Sequence, residues 1–232
     1  MGMKSNDLFT CGFCSKTYKR EAALIKHKCQ TKERMLLKDT RQMYIAVDCW
    51  KKFRQYHRML WKACETPFEA FIKSREYTQF YDFSGYLMQT RPIKQEEFVM
   101  ELIKQSIDIR NWSTQETRKQ WVQTVLTNEH PDRGIERSLM VIQEWADENE
   151  VPWNEVFLYL PVGRAMLWIE TGKISPWIIF TATTVDSLFE RMTPEDFEYI
   201  SSYLDANVWS TKCKLYSDDV NRIQEVFKEY KL

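Results

Sequence analysis

The sequence predicts a mainly α protein, in which a small module bearing cysteine and histidine precedes an all-α helical domain. Apolar residues recur with the 3.6-residue period of helices through most of the 232 residues, and strand-like alternation is almost absent. Aromatic residues make up 14% of the chain, enough to bury a substantial core. Three of the six cysteines lie between residues 11 and 29. We therefore predict a small module at 1–34, a basic linking helix at 35–62 and an acidic all-α domain at 63–232.

Charge is divided unevenly along the chain, although the formal net charge is zero. Residues 1–62 carry 15 Lys or Arg and 5 Asp or Glu, whereas residues 63–232 carry 18 and 28. This split predicts different partners for the two parts, with mutual neutralisation in the fold as the alternative. No apolar run reaches the length of a membrane span and no signal peptide precedes the polar start. We expect an intracellular protein that does not contact a membrane, in a reducing compartment.

Aromatic, thiol and imidazole side chains recur at fixed spacing near the start of the chain. The residues of this pattern are Phe9, Cys11, Cys14, Tyr18, Leu24 and His27. The pattern resembles the C2H2 zinc finger, in which two thiolates on a tight turn and an imidazole from a helix bind zinc tetrahedrally. The resemblance implies a ββα-like fold that depends on its metal, because so few apolar residues cannot keep a module of this size folded.

The fourth zinc ligand departs from the C2H2 pattern. The family places it about four residues after the first His, at Thr31 here, whereas Cys29 stands two residues after His27. Residues two apart on a helix project about 200° apart, so His27 and Cys29 share a metal only if the helix ends or unwinds at Lys28. The predicted C2HC ligands are Cys11, Cys14, His27 and Cys29. The alternatives are Glu33 or water as the fourth ligand, or a match without metal.

Basic residues surround the expected metal site. In C2H2 proteins three helix positions contact bases, and these fall at Arg20, Ala23 and Lys26. Arg20 can reach guanine and Ala23 can pack on a thymine methyl, but one finger covers only about three base pairs. The cations interpreted as phosphate contacts are Lys16, Lys19, Lys26, Lys28, Lys32 and Arg34. The alternatives are a solvated basic surface or a face for an acidic protein.

Helix signals recur through the rest of the chain. Residues 35–62 predict one long or broken helix with an apolar stripe. Beyond it we expect seven to nine helices, one of which ends at Gly172. The candidate N-caps are Thr66, Ser113, Ser175, Thr193 and Ser217. Most tryptophans are expected in the core, with Trp153 and Trp177, each beside a proline, partly exposed.

Signals of catalysis are weak. His57 is expected to lie on the surface or in packing, and His130, before Pro131, at a helix boundary. Pro131 and Asp132 resemble the start of a metal-dependent nuclease motif that ends in Glu-x-Lys, but the only such triplet after them is at residues 229–231. Phosphate-binding loops and glycine fingerprints are missing from the sequence. We therefore predict a non-enzymatic protein, with a nuclease as the least favoured alternative.

Four segments carry a resemblance across most of the chain. They are KREAALIKHKC, TPFEAFIKSREYTQFYDFSGYL, FVMELIKQSIDIRNW and TGKISPW. Together they are similar to a family of small proteins of tailed bacteriophages, which implies a phage protein in the host cytoplasm. We expect an accessory protein that binds zinc and nucleic acid, DNA rather than RNA, through the finger. Its acidic body would bind a replication or transcription protein such as a polymerase or helicase. The alternative is a protein–protein adaptor.

Overall fold

The structure is a computed structural model that describes residues 8–229, with side chains up to residue 225. It is mainly helical, with a two-stranded antiparallel sheet near the start, which confirms the predicted fold class. The described chain forms two compact units, residues 8–89 with Val99–Arg110 and Thr90–Phe98 with residues 111–229. The predicted domain ends at residues 1 and 232 lie outside the described residues, and the boundaries at 34 and 62 stay predictions.

The first unit begins with a ββα arrangement. Strand β1 (Phe9–Thr10) pairs antiparallel with β2 (Thr17–Tyr18), and Phe9 lies opposite Tyr18. Helix α1 (Glu21–Ile25) follows, and none of its residues is buried. Among residues 8–34, the part of the finger that the structure describes, only Cys11 and Cys29 are buried. The module therefore has almost no apolar core of its own.

Four further helices complete most of the first unit. They are α2 (Gln30–Leu36), α3 (Arg41–Tyr56), α4 (Pro67–Lys73) and α5 (Tyr77–Thr90). The linking segment at 35–62 was predicted as one long or broken helix, and the structure shows the broken form. The predicted cap at Thr66 is confirmed, since its hydroxyl accepts from the Glu69 N–H and the Glu69 carboxylate accepts from the Thr66 N–H. Trp50 on α3 packs against Phe71 on α4, with ring centroids 5.6 Å apart.

Helix α6 (Gln95–Lys104) begins in the second unit and ends in the first. The remaining helices belong to the second unit and are α7 (Gln115–Asn128), α8 (Pro131–Glu148), α9 (Val156–Tyr159), α10 (Val162–Glu170), α11 (Pro176–Ile179), α12 (Val185–Phe189), α13 (Pro194–Ser201), α14 (Ala206–Leu215) and α15 (Ser217–Glu229). Short 3-10 helices lie at Ile109–Asn111 and Trp153–Glu155. Within the described part of the chain, twelve α-helices follow residue 62, more than the seven to nine predicted. Several of them are single turns of four or five residues.

Two predicted helix starts are displaced by one residue. The N-cap of α7 is Thr114, whose hydroxyl accepts from the Thr117 N–H, and not Ser113. Ser217 is already the first residue of α15, although it was predicted as the cap before that helix. In α7 the neighbouring Thr114 takes the role that the sequence pattern assigned to Ser113. Thr193 and Ser175 cap their helices as predicted.

The core of the second unit is apolar and contains Trp177. The predicted partial exposure of this tryptophan is wrong, since its side chain is 0% exposed. Pro176 starts the short helix α11, whose four residues are all buried, and the Trp177 ring meets Trp209 edge to face at 5.1 Å. Trp153 is half-buried, as predicted. None of the helices that the structure describes combines the length and apolar composition of a membrane span.

Helices α8 and α11 approach each other closely in this core. The Ser138 hydroxyl donates to the Gly134 carbonyl oxygen and accepts from the Ser175 N–H, each at 2.7 Å. A Cβ at position 134 would lie 2.5 Å from the Ser175 Oγ. Only a glycine therefore fits on α8 at this crossing.

Candidate metal centre

Four side chains of the finger converge on one point. The ligand atoms of Cys11, Cys14, His27 and Cys29 all lie within 4.8 Å of one another. The Sγ atoms of Cys11 and Cys29 are 3.7 Å apart, and the Cys14 Sγ lies 3.2 Å from the His27 Nε2. These are the four predicted ligands, and together they can hold a metal ion. Among the described residues, Glu33 does not belong to the group.

The first two ligands lie on the turn between β1 and β2. The Cys11 N–H donates to the Lys16 carbonyl oxygen and the Ser15 N–H donates to the Cys11 carbonyl oxygen, both at 2.9 Å. Ser15 adopts a left-handed backbone conformation, with φ of 57°. This tight turn brings the thiols of Cys11 and Cys14 close together.

Backbone hydrogen bonds also affect the acidity of these thiols. Bonds from the backbone of Cys14 and Phe13 lower the pKa of Cys11 to about 7, which favours the thiolate that binds metals. A backbone hydrogen bond from Lys16 lowers the pKa of Cys14, but burial and the other two thiols outweigh it, so that pKa is raised. Thiolates crowded in this way repel one another unless a cation lies between them.

The other two ligands meet the first pair because the finger helix is short. Helix α1 ends at Ile25, and residues 27–29 are not helical, so the condition for His27 and Cys29 to share a metal is met. Cys29 has an extended backbone and is the N-cap of α2, where its Sγ accepts from the Lys32 N–H at 3.4 Å. The sequence pattern did not predict this second role of Cys29. The His27 ring packs against Tyr18, with centroids 5.2 Å apart.

Arg34 connects α2 to the rest of the first unit. Its Nη1 donates to the Ile72 carbonyl oxygen at 2.7 Å, and its guanidinium lies 3.8 Å from the centroid of the Tyr77 ring. These contacts hold the guanidinium against α4 and α5, and the predicted phosphate contact of Arg34 stays a prediction. The sequence offers no local signal that separates Arg34 from the other cations around the finger.

The remaining cations around the metal group are exposed. All seven predicted nucleic-acid contacts face solvent: Lys16, Lys19, Arg20, Ala23, Lys26, Lys28 and Lys32. Arg20 is the N-cap of α1 and Lys26 its C-cap, so the three predicted base-contacting positions recur along one side of this helix. Within residues 8–229, none of the six charged side chains forms an ion pair. The Lys32 ammonium lies 5.7 Å from the centroid of the Phe13 ring.

The residues weighed for catalysis have structural partners. His130 caps α8, where its Nδ1 accepts from the Asp132 N–H at 3.4 Å, which confirms the expected helix boundary. Asp132 lies in the first turn of that helix and pairs with Arg222. His57 packs against Phe53, with ring centroids 4.6 Å apart. The Glu-x-Lys triplet ends at residues 230 and 231, outside the described residues.

No protein-family model, curated protein or solved structure matches this chain. Its chemistry is therefore inferred from its own residues, and the resemblance to a bacteriophage family stays a prediction.

Proposed function

We propose that this protein is a non-enzymatic bacteriophage accessory protein of the host cytoplasm. Its finger binds zinc and nucleic acid, and its helical body binds a replication or transcription protein. The observation that carries the nucleic-acid part is the set of exposed cations around the metal group, none of which has an ion-pair partner within the described chain.

Zinc is the metal that the donor set favours. Three thiolates and one imidazole in a closed group are typical of structural zinc sites, and such donors disfavour magnesium and calcium. In a tetrahedral site with Zn–S bonds of about 2.3 Å, two sulfurs lie about 3.8 Å apart. The 3.7 Å between the Sγ atoms of Cys11 and Cys29 agrees with that geometry. With four protein ligands, no position is left for a substrate, which favours a structural role.

Charge supports nucleic acid as the ligand of the finger. Residues 8–34 contain seven Lys or Arg and two Glu. Cations held near phosphates release condensed counterions, so they contribute affinity that falls steeply with salt and depends little on sequence. Side chains at Arg20, Ala23 and Lys26 would add base contacts over about three base pairs, with duplex DNA as the expected form.

Charge also supports a protein as the partner of the body. Residues 63–232 carry ten more acidic than basic residues, which repels phosphate. A complementary basic surface on a polymerase or helicase would be attracted to the same region. The identity of that partner rests on the expected phage origin.

Fluorescence anisotropy of the zinc-loaded full chain tests the nucleic-acid part. Labelled single-stranded DNA, duplex DNA and RNA are titrated at two salt concentrations. We expect affinity that falls with salt and that the double substitution Arg20→Ala/Lys26→Ala weakens. The matched control is Lys173→Ala/Lys214→Ala, which removes two exposed cations from the second unit.

Two outcomes would contradict this function. Equal losses in both double variants would show that the finger is not the binding surface. Flat traces for all three nucleic acids at low salt would favour the adaptor, whose finger and body both bind proteins.

A further inference from the structure

A pocket of about 330 Å³ lies in the first unit, outside the finger. Its walls combine aromatic rings from Trp50 and Trp61 with cationic groups from Arg54, Lys62 and Arg75. The carboxylates of Glu65 and Glu76 also line it, where they pair with Lys73 and Arg54. Small-molecule sites usually occupy about 300–1,000 Å³, so this volume suits a ligand of the size of one nucleotide. None of these residues was predicted as a binding residue from the sequence.

The aromatic wall is fixed in place. The rings of Trp61 and Trp50 lie 5.4 Å apart, and Trp50 is 1% exposed, so Trp61, which is half-buried, presents the accessible ring. Arg54 holds the segment that carries Trp61, because its Nε and Nη2 donate to the carbonyl oxygens of Met59 and Leu60 at 3.0 and 3.1 Å. A ring held in this way loses little freedom when a flat group stacks on it.

Some polar groups of the pocket have no hydrogen-bond or ion-pair partner among the described residues. The Ser74 Oγ is buried and, within the described chain, has no hydrogen-bond partner. Lys62 and Arg75 are exposed, and no ion pair joins either to an acidic group of the described residues. By contrast, Lys73 is paired with Glu65 at 2.9 Å. The pocket therefore has two free positive charges beside an aromatic ring, and an unpaired hydroxyl buried in its wall.

We propose that this pocket binds one unstacked nucleotide, with its base on Trp61, its polar edge near Ser74, and its phosphate near Lys62 and Arg75. A base inside a duplex is stacked and paired, so it cannot enter, whereas a single strand or a free nucleotide can. If the nucleotide belongs to a single strand, the inference rests on the function proposed above and adds single-strand binding to the duplex binding expected of the finger. If it is a free nucleotide, the inference is independent of that function.

Helix α4 connects this pocket to the finger. Its Ile72 carbonyl oxygen accepts from Arg34 of α2, and Ser74, the C-cap of α4, lines the pocket. Cys29 caps α2, so the metal ligands and the pocket are linked through two short helices of one compact unit. The cations of the finger belong to the same compact unit as the pocket, so both can contribute to the binding of one strand.

The test compares three probes on the zinc-loaded full chain: a labelled thymidylate 12-mer, a labelled 12-bp hairpin, and AMP, whose binding is measured directly by isothermal titration calorimetry. Base–aromatic stacking predicts that Trp61→Ala weakens 12-mer binding about 5- to 150-fold, while hairpin affinity changes less than about twofold. Trp61→Phe retains most of the affinity. Lys62→Ala/Arg75→Ala lowers the salt slope for the 12-mer by about 1.4, since each single-strand phosphate contact contributes about 0.7. The control, Arg41→Ala/Lys51→Ala, removes exposed cations of α3 that do not line the pocket.

The outcomes separate this proposal from the function of the finger. If AMP binds and Trp61→Ala abolishes that binding, the pocket stands even when no strand binds. If strands bind but the Trp61 and Lys62/Arg75 variants match the control, the pocket proposal is overturned and the finger remains. If the wild-type chain binds no strand, hairpin or AMP, both are overturned.

Discussion

The finger and the second unit are stabilised in different ways. Of the finger residues from 8 onward, which the structure describes, only Cys11 and Cys29 are buried, and both belong to the metal group. The second unit instead buries an apolar cluster from many helices, including Trp177 and Trp209. A bound metal can replace a core of this kind, which leaves almost every other side chain of the finger free to face solvent. The comparison predicts that loss of the metal unfolds the finger, whereas loss of a buried apolar side chain destabilises the second unit.

The largest effect is expected from loss of the metal. Metal binding supplies about 10–16 kcal/mol of apparent folding free energy in zinc-finger peptides, and no apolar core substitutes for it here. Chelation, or His27→Ala, should bring amide exchange of residues 8–28 to unfolded rates. Residues 111–229 should keep their protection, as measured by hydrogen–deuterium exchange.

Two variants test the fourth ligand in the same experiment. Cys29→Ala should lose metal, whereas Glu33→Ala should keep it, because Glu33 lies outside the ligand group. The reverse result would assign the fourth position to Glu33. Protected amides in the metal-free finger would show that the finger stays folded without its metal, which contradicts the proposed difference between the two regions.

The second prediction perturbs the apolar core of the second unit and leaves the metal group intact. Trp177→Ala should lower the free energy of unfolding by about 3–5 kcal/mol, as expected for a buried aromatic side chain. Zinc content should stay at the wild-type level. Urea unfolding followed by circular dichroism measures the first quantity and metal analysis the second. Trp153→Ala is the control, since that side chain is half-buried and should have a smaller effect.

The metal group could be predicted from sequence because its determinants are local. The ligands lie within residues 11–29, and their spacing alone limits how the chain can bring them together. The helix end required between His27 and Cys29 followed from helix geometry. The general helical fold was equally accessible, since apolar periodicity extends over whole helices.

The features that sequence did not predict depend on distant contacts. Arg34 differs from the neighbouring cations only through Ile72 and Tyr77, about forty residues away in sequence. Burial of Trp177 depends on α14, which carries Trp209. The pocket combines α3 with the segments before and after α4. These pairings join residues of different helices, so a pattern within one helix cannot indicate them.

A third prediction uses two glycines of the second unit. Gly134→Ala places a methyl group 2.5 Å from the Ser175 Oγ, and overpacking of this kind costs about 1–3 kcal/mol. Gly163→Ala meets nothing within 4 Å in α10 and should stabilise by about 0.5–1 kcal/mol. Thermal unfolding of both variants checks the opposite signs. Destabilisation by both substitutions would show that the crossing of α8 and α11 is not the cause.

The smallest predicted effect lies in the turn of the finger. Ser15 has a φ of 57°, a conformation that costs an L-residue about 1–2 kcal/mol. Glycine avoids this strain but loses about 0.5–1 kcal/mol in chain entropy on folding. Ser15→Gly should therefore stabilise the finger by about 0.5 kcal/mol net.

Because folding of the finger is coupled to metal binding, this gain should appear as about a twofold rise in zinc affinity. Competition with a chromophoric chelator measures it. Ser15→Val should act in the opposite direction, because β-branched residues tolerate positive φ least. Equal affinity for all three chains would mean that the metal-free turn has the same backbone conformation. The finger would then be partly ordered before metal binds, and its contrast with the second unit would be smaller than its burial indicates.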